Sequence, residues 1–446
     1  MKRIITILLL VCAVANGYAQ NNSTKGDTKP SKEFFGKVKN FFVVDIPNFV
    51  TNITDKDKRE QKKADKKIEK NAKKIAKKKK KSAKKKSGNI IFGLTSRVLM
   101  TIVAALLILS YASIVVNPAK VWLISLTGLL FVPLSVVNLL LLLWAIKRRS
   151  KSLVIPLLAL LPAFFFVGRY VQADTQTERD TRQAYTGESL KVMTYNVGRF
   201  LLHDKTSGVT SQKGCADSVF AFIRSQNPDL VCLQEVHVDD VDKIRREMAV
   251  RMPGYSVEYY MFPIRKGAFG NVTLSKMPVV SKGKIKFDES ANLALYTDYS
   301  YKGRHFRVYN CHFESYNISL YGILRSLTKS ERNIIADTGT KMKKSITRRP
   351  KQVDQVFSDI EACPVESFVC GDFNDNPMSY TYCRMMRDRQ DTFVEAGDGF
   401  GATYSRLWPM LRIDYVLCPK SCTVVTHETP KVKLSDHYPV ITEIAL

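Results

Sequence analysis

The sequence predicts an α/β domain over residues 189–446, carried behind three membrane-spanning helices. Three observations predict this. Strand-like and helix-like runs alternate beyond residue 189. Several of those short strands end on an acid or an amide. Two long apolar runs upstream, 98–116 and 121–146, carry no internal charge. At 446 residues the chain exceeds one average domain, for which about 100–200 residues is usual. A hydrophobic share of 45% allows a sizeable core.

Residues 1–19 hold basic residues, an apolar run at 4–14 and then Gly17-Tyr18-Ala19, which reads as a signal-like leader. The run is too short to span a bilayer, which takes about 20 residues. Residues 20–90 form a basic arm. Within it Phe34, Phe35, Val38, Phe41 and Phe42 recur at helical spacing among Lys32, Lys37 and Lys39. Such a face lies on an anionic membrane or packs against protein, and both readings stay open. Between residues 55 and 86 there are 18 Lys/Arg against 5 Asp/Glu and almost no large apolar side chain. This stretch cannot bury a core, so it is a solvated helix or disordered. Beside a membrane it attracts acidic head groups, by about 1 kcal/mol per basic residue.

The formal net charge of +28 belongs mostly to this arm, because from residue 183 onward there are 35 Lys/Arg against 30 Asp/Glu. The high charge therefore does not identify a nucleic-acid substrate. Nine cysteines show no zinc spacing; Cys232, Cys311, Cys370 and Cys418 read as small core residues.

The region 91–171 contains the expected spans, 98–116, 121–146 and a shorter third, 153–171, with Arg169 near its end. The basic loop 147–151 between two spans faces the cytoplasm by the positive-inside rule. The chain is then a multi-pass protein of the inner (cytoplasmic) membrane, with its C-terminal domain periplasmic or otherwise extracytoplasmic. A cleaved leader would export the arm and oppose this orientation; the loop, lying directly between spans, is the better guide. Residues 172–188 read as a linker.

The chemistry gathers at the strand ends. Runs reaching Tyr195-Asn196, Gln234-Glu235, Asn310-Cys311-His312, Gly371-Asp372-Phe373-Asn374, Ile413-Asp414 and Ser435-Asp436-His437 each deliver a side chain that a core would reject. Buried carboxylates are costly unless paired or metal-bound, so these ends point to a cation site. Taken singly, Asn196, Asp414 and Asn271 suit caps or turns, and a lone His312 suits a structural role. Their joint order reverses that reading.

Together with Asn271-Val272-Thr273-Leu274-Ser275-Lys276 and Arg412-Ile413-Asp414-Tyr415, this series resembles the endonuclease/exonuclease/phosphatase family over residues 189–446. The resemblance implies a four-layer α/β sandwich, two packed mixed sheets flanked by helices, with the site at one end. It also implies a divalent cation, Mg²⁺ or Mn²⁺, and room for a second. Mg²⁺ takes hard oxygen ligands and keeps several waters. Glu235 is then the principal ligand with Asn196 beside it, and Asp372, Asn374 and Asp436 complete the metal and phosphate surroundings.

His437 is the implied general base, oriented by Asp414; histidine titrates nearest neutrality. His312 is expected to stabilise the scissile phosphate or protonate the leaving oxygen. Asn271 is expected near the phosphate. Arg348, with Arg349 and Lys351, precedes a helix-like run and is a candidate phosphate contact, although a solvated helix start is the plainer reading.

The expected activity is metal-dependent hydrolysis of a phosphodiester by a membrane-anchored nuclease acting on DNA or RNA. The alternative is a lipid-directed phosphoesterase acting on sphingomyelin-like or phosphoinositide head groups, since the three spans and the arm bring membrane lipid close. A third reading, of another class, is an inactive membrane scaffold that binds through its basic arm. Nothing in the sequence specifies an oligomeric state.

Overall fold

The computed structural model describes residues 55–173, 185, 187–201, 212–316 and 332–446. The leader, the aromatic face at 34–42 and most of the linker lie outside the described residues. The chain divides into two compact units, 1–99 and 100–446. Helix α1 (Asp55–Ala112) contains the Lys-rich stretch, whose described side chains between Lys66 and Lys78 are all exposed.

Three uninterrupted spans are not what the chain forms. Among the described residues one helical stretch, Leu94–Ala112, is long and apolar enough to cross a membrane. The expected second span is broken into α2 (Trp122–Leu129) and α3 (Phe131–Lys147), bent by 62°. Pro133 explains the break: it has no N–H to offer Leu129 and its ring crowds that carbonyl. The expected third span is a 3₁₀ turn (Lys151–Leu153), α4 (Val154–Leu160), a second 3₁₀ turn (Leu161–Ala163) and α5 (Phe164–Val167). Pro162 removes another helical hydrogen bond there. Hydropathy sums composition and does not register these interruptions.

These helices share a small core of Ala104, Leu107, Phe131, Ala159, Ala163 and Tyr170, but their outer faces are bare. Leu140 and Leu158 are each 59% exposed, Phe164 82% and Phe165 80%. Apolar surface on this scale is not carried openly by a water-soluble monomer.

Beyond a short strand β1 (Val171–Gln172), the strands are β2 (Ser189–Asn196), β3 (Leu230–Val238), β4 (Ser256–Pro263), β5 (Ala268–Ser275), β6 (Val279–Lys286), β7 (Leu293–Tyr301), β8 (Arg304–His312), β9 (Glu366–Asp372), β10 (Arg389–Asp391), β11 (Gly399–Phe400), β12 (Asp414–Pro419), β13 (Thr423–Glu428) and β14 (Val440–Ala445). They form two six-stranded sheets, ordered β13-β14-β2-β3-β5-β4 and β10-β12-β9-β8-β7-β6, with β1 paired to β11 apart from both. Each large sheet is mixed: β2–β3 and β8–β9 run parallel and the other pairs antiparallel.

The alternation of side chains builds the layers. Leu190 and Val192 of β2 point into the core between the sheets, with Val308, Phe368, Val416 and Ile444. Met193 and Tyr195 point the other way, against α6 (Gln212–Gln226) and α7 (Ile244–Arg251) through Val219, Phe220, Ile223 and Met248. On the far side α8 (Arg332–Ala362) and α9 (Tyr380–Met385) cover the second sheet, packing Val353, Val356, Phe357 and Tyr382 on Tyr309, Val369 and Tyr415. The result is helix, sheet, sheet, helix, as the motif order implies. A last helix, α10 (Thr392–Ala396), follows β10 directly.

A buried amide network joins the two sheets. Gln234 Nε2 donates to Asn310 Oδ1 at 2.8 Å, and Asn310 Nδ2 donates to the carbonyls of Leu233 (3.2 Å) and Val272 (3.0 Å). Satisfied in this way, the amides fix how the sheets register at the end that carries the polar residues.

Candidate active site

Sheet register assembles the site. On neighbouring strands His312 stands opposite Asp372, and Asp372 opposite Asp414. The facing sheet brings Asn196, opposite Gln234 in the parallel pair β2–β3. A bulge in β3 between Leu233 and Val236 turns Glu235 out of the ladder at φ 53°. A glutamate in the left-handed region is uncommon, and such strain gathers at functional positions. Gly371, at φ 132°, lets β8 approach: a Cβ there would lie 1.9 Å from the Cys311 carbonyl oxygen.

The carboxylates converge. Asn196 Nδ2 donates to Asp372 Oδ2 at 2.9 Å and lies 3.4 Å from Glu235 Oε1. Asn374 donates to Asp372 through its backbone N–H (2.8 Å) and its Nδ2 (3.2 Å). His312 Nε2 lies 3.7 Å from Glu235 Oε1 and 3.9 Å from Asp372 Oδ2, buried and with no hydrogen-bond partner.

His437 Nδ1 faces both oxygens of Asp414, at 2.9 and 3.2 Å, and its Nε2 lies 3.9 Å from Asp372 Oδ2. Burial disfavours the imidazolium, but the carboxylates of Asp414 and then Asp372 outweigh it and push His437 up to about 10. Asp372 is raised to about 6, chiefly by burial and then by Asp414, with His437 and His312 opposing.

A divalent cation fits this arrangement on chemical grounds. Glu235 and Asp372 present acceptor-only oxygens, Asp372 is penalised as a buried anion, and the buried Nε2 of His312 faces both without a bond. Asp372, Asp414 and His437 also bring ligand atoms within 4.8 Å of one another. The Asp414–His437 contact is a direct hydrogen bond, however, and its geometry is that of an acid–base pair.

The remaining expected residues sit as follows. Asn196 turns its nitrogen to the carboxylates and accepts the Gly198 N–H on its oxygen (3.0 Å), so as placed it holds the carboxylates rather than offering an oxygen ligand. Asp436 stands against Gly198, where a Cβ would meet its Oδ1 at 3.1 Å, and faces Arg406 Nη2 at 3.5 Å. Asn271 is buried at the edge of the network, donating to the Asn310 carbonyl at 3.1 Å.

Arg348 is not brought to the site. Its guanidinium is engaged by the carboxylate of Glu289 and by its carbonyl, and it lies mid-helix in α8 rather than at a helix start. The neighbouring Arg349 is the buried one, 2.9 Å from Asp375 Oδ2. Sequence reasoning also passed over Tyr404, whose ring meets the His437 ring edge-on at 5.2 Å, and Arg199, whose Nε lies 3.7 Å from Glu235 Oε2.

With that geometry in place, comparison with known proteins decides the family. Residues 193–437 match the model of the "Endonuclease/Exonuclease/phosphatase family", more than half of the chain. The chain belongs to the endonuclease/exonuclease/phosphatase family. Members are phosphoesterase hydrolases that use divalent metals.

Residues 91–170 match a "Domain of unknown function (DUF8431)". A search of curated proteins returns no match. Among solved structures, an endonuclease/exonuclease/phosphatase from Beutenbergia cavernae is 20% identical with a TM-score of 0.42, covering 58% of this chain and 72% of that one. The human Nocturnin catalytic domain with bound sulfate is 16% identical (TM-score 0.42; 58% and 93% covered). A mannosyl-6-phosphatase from Bacteroides thetaiotaomicron is 15% identical (TM-score 0.38; 58% and 100% covered). At these identities the likenesses carry no substrate assignment.

Proposed function

We propose that the domain hydrolyses a phosphodiester with the help of a divalent cation, while its apolar segment holds it to a membrane. The observation that carries this reading is the pairing of a two-carboxylate cradle, Glu235 and Asp372, with an acid-oriented histidine, His437. A cation there, Mg²⁺ or Mn²⁺, would polarise the phosphoryl group and neutralise charge growing on its oxygens. Glu235 and Asp372 would hold it, with Asp436 near by and Asn196 and Asn374 fixing the carboxylates.

In its neutral form His437 would take, at Nε2, the proton of the water that attacks phosphorus, while Asp414 holds Nδ1 and stabilises the imidazolium that forms. The neighbouring carboxylates confine the neutral form to alkaline pH, and a cation held by Glu235 and Asp372 would draw its onset down toward neutrality. His312 Nε2 donates to the phosphoryl oxygens or to the departing oxygen as the P–O bond breaks. Asn374 keeps Asp372 in place through two donors. In the nuclease reading the diester is DNA or RNA.

Two features support the membrane attachment: the exposed apolar faces of the helices, and the 19 residues of Leu94–Ala112, which at 1.5 Å per residue reach about 28 Å, close to the thickness of a bilayer's hydrocarbon. Phe131, at one end of α3, packs beside Met378 of the catalytic domain, and Lys147 ends the other. With the basic loop cytoplasmic, the catalytic domain lies outside; a reporter fused after Leu446 that gave a cytoplasmic signal would refute this.

The activity test uses the full chain in detergent with Mg²⁺ or Mn²⁺, on plasmid DNA, RNA and bis-p-nitrophenyl phosphate, beside Glu235→Ala. Metal-dependent cleavage lost in the variant is expected. Full hydrolysis by the variant removes the cradle from the mechanism. A wild type that binds membranes but cleaves none of these, nor lipid esters, is a scaffold.

A further inference from the structure

The rim of the site carries an apolar surface that the chemistry does not use. Phe400, Trp408 and Met410 are 46%, 43% and 42% exposed on the segment 399–411. Phe400 and Trp408 meet edge-on at 5.8 Å, and Lys431 Nζ lies 4.5 Å over the Trp408 ring. Phe400 pairs in register with Val171, which follows the last apolar helix by four residues, and Gly401 N–H donates to the Tyr170 carbonyl at 3.0 Å. The patch therefore continues directly from the apolar segment.

The same segment is also bonded to the site. Tyr404 bridges His437, the Ser405 N–H donates to the Asp436 carbonyl at 2.9 Å, and the Tyr438 N–H donates to the Thr403 carbonyl at 2.7 Å. Thr403 Oγ1 accepts the Ile413 and Asp414 N–H groups at 3.0 and 3.1 Å.

We propose that the segment 399–411 rests on the surface of the bilayer that holds the apolar helices, and that the site takes its phosphoester from that surface, as a lipid head group. This rests on the phosphoesterase and membrane-attachment reading above. An aromatic pair with one face apolar and a lysine against it is the composition that settles at the head-group boundary. Lys431, over the Trp408 ring, supplies a cation for phosphate-bearing head groups. A nucleic-acid groove would ask for a basic track leading to the site. Among the described residues, Arg199 and Arg406 at its mouth instead face the carboxylates of Glu235 and Asp436.

The experiment uses the full chain reconstituted in discs of equimolar phosphatidylcholine and phosphatidylglycerol. In one arm Trp122→Phe and Trp144→Phe leave Trp408 as the only tryptophan of the three. Lipid brominated on its acyl chains should quench its emission; emission unchanged from that in unbrominated discs overturns the seating. In the second arm, discs carrying sphingomyelin, phosphatidylglycerol or phosphatidylinositol phosphate are compared with soluble bis-p-nitrophenyl phosphate. The Phe400→Ser/Trp408→Ser protein should keep soluble-ester hydrolysis within about twofold and lose about tenfold or more on lipid, as expected for removing two aromatic anchors seated in lipid.

Soluble ester cleaved with none of the lipids cleaved, or equal losses on both substrates with Trp408 unquenched, overturns the inference. A wild type that cleaves neither soluble nor lipid ester instead overturns the phosphoesterase reading beneath it. If the double variant misfolds, the quenching arm decides the seating and the wild-type lipid arm decides the substrate.

Discussion

Replacing Asp414 by asparagine removes one charge and leaves a side chain of the same shape. Asp414 is buried, lies 2.9 Å from His437 Nδ1 and, among the described residues, accepts no other side chain. Its carboxylate is the largest influence raising His437, which reaches about 10 against the opposing effect of burial. Asparagine takes that support away, so the histidine falls back toward or below its ordinary value near 6.5.

Two effects follow. The imidazolium formed in the transition state loses its counter-charge, and general-base assistance is typically worth about 10² to 10⁴ in rate, or about 3–5 kcal/mol. The base also becomes weaker, so the acid limb of kcat/KM moves to lower pH while the plateau falls. A cation on Glu235 and Asp372 lowers His437 in both proteins, so the direction of the difference survives metal loading. The assay is kcat/KM against pH on bis-p-nitrophenyl phosphate at saturating Mg²⁺. A plateau within threefold of wild type, or an acid limb displaced upward, would show that the Asp414–His437 pair does not supply the base.

Three further outcomes follow from other contacts. Glu235→Gln keeps the fold but halves the carboxylates of the cradle; the rise in melting temperature on adding Mg²⁺ should shrink with the activity, and an undiminished rise would place the cation elsewhere. Arg412→Met leaves Asp391, 2.7 Å away and buried, without that counter-charge, and a broken buried pair costs about 3–5 kcal/mol, visible in thermal unfolding. Gly128→Ala puts a Cβ 2.2 Å from Ser113 Oγ and 2.5 Å from the Met378 carbonyl oxygen, so the helices must part from the catalytic loop; kcat should fall with little change in KM for a soluble ester, and an unchanged kcat would show that the contact does not reach the site.

The strand-end residues were legible because two signals coincide there: alternation marks a strand, and an acid or amide at its end has no place in a core. Asn196, Glu235, His312, Asp372 and Asp414 announce themselves in this way, with His437 just ahead of a strand; sheet register then aligns His312, Asp372 and Asp414, while the β3 bulge and the Tyr404 bridge place Glu235 and His437. Partnerships were not legible. That Asn196 would turn its nitrogen to the carboxylates depends on Gly198 occupying its oxygen.

Arg348 shows the limit on a helix, where one residue turns the side chain by about 100°. Arg349 shares its face with Ile346, Val353, Val356 and Ile360, all buried, so the apolar stripe contained the information that Arg349, not Arg348, turns inward. The broken spans failed for a different reason: prolines cost hydrogen bonds, and an apolar count does not see them.

The apolar segment and the candidate site residues meet through a very short length of chain. Asn374 leads within four residues to Met378, and Asp372 within six, and each step between is held. Asp375 is bound by Arg349, Thr381 and Tyr316. Asn376 donates to the Gly128 carbonyl at 2.9 Å, the Pro377 carbonyl accepts from Arg169 at 2.9 Å, and the Met378 carbonyl accepts from Ser113 at 2.5 Å. A loop at a strand end is ordinarily the part of a domain freest to shift. Here its far side is fixed by helices whose own outer faces are apolar and exposed, so whatever surrounds those helices bears on the placement of Asp372. Catalytic geometry that tolerates errors of well under an ångström therefore extends, in this chain, to the packing of Gly128 against Ser113.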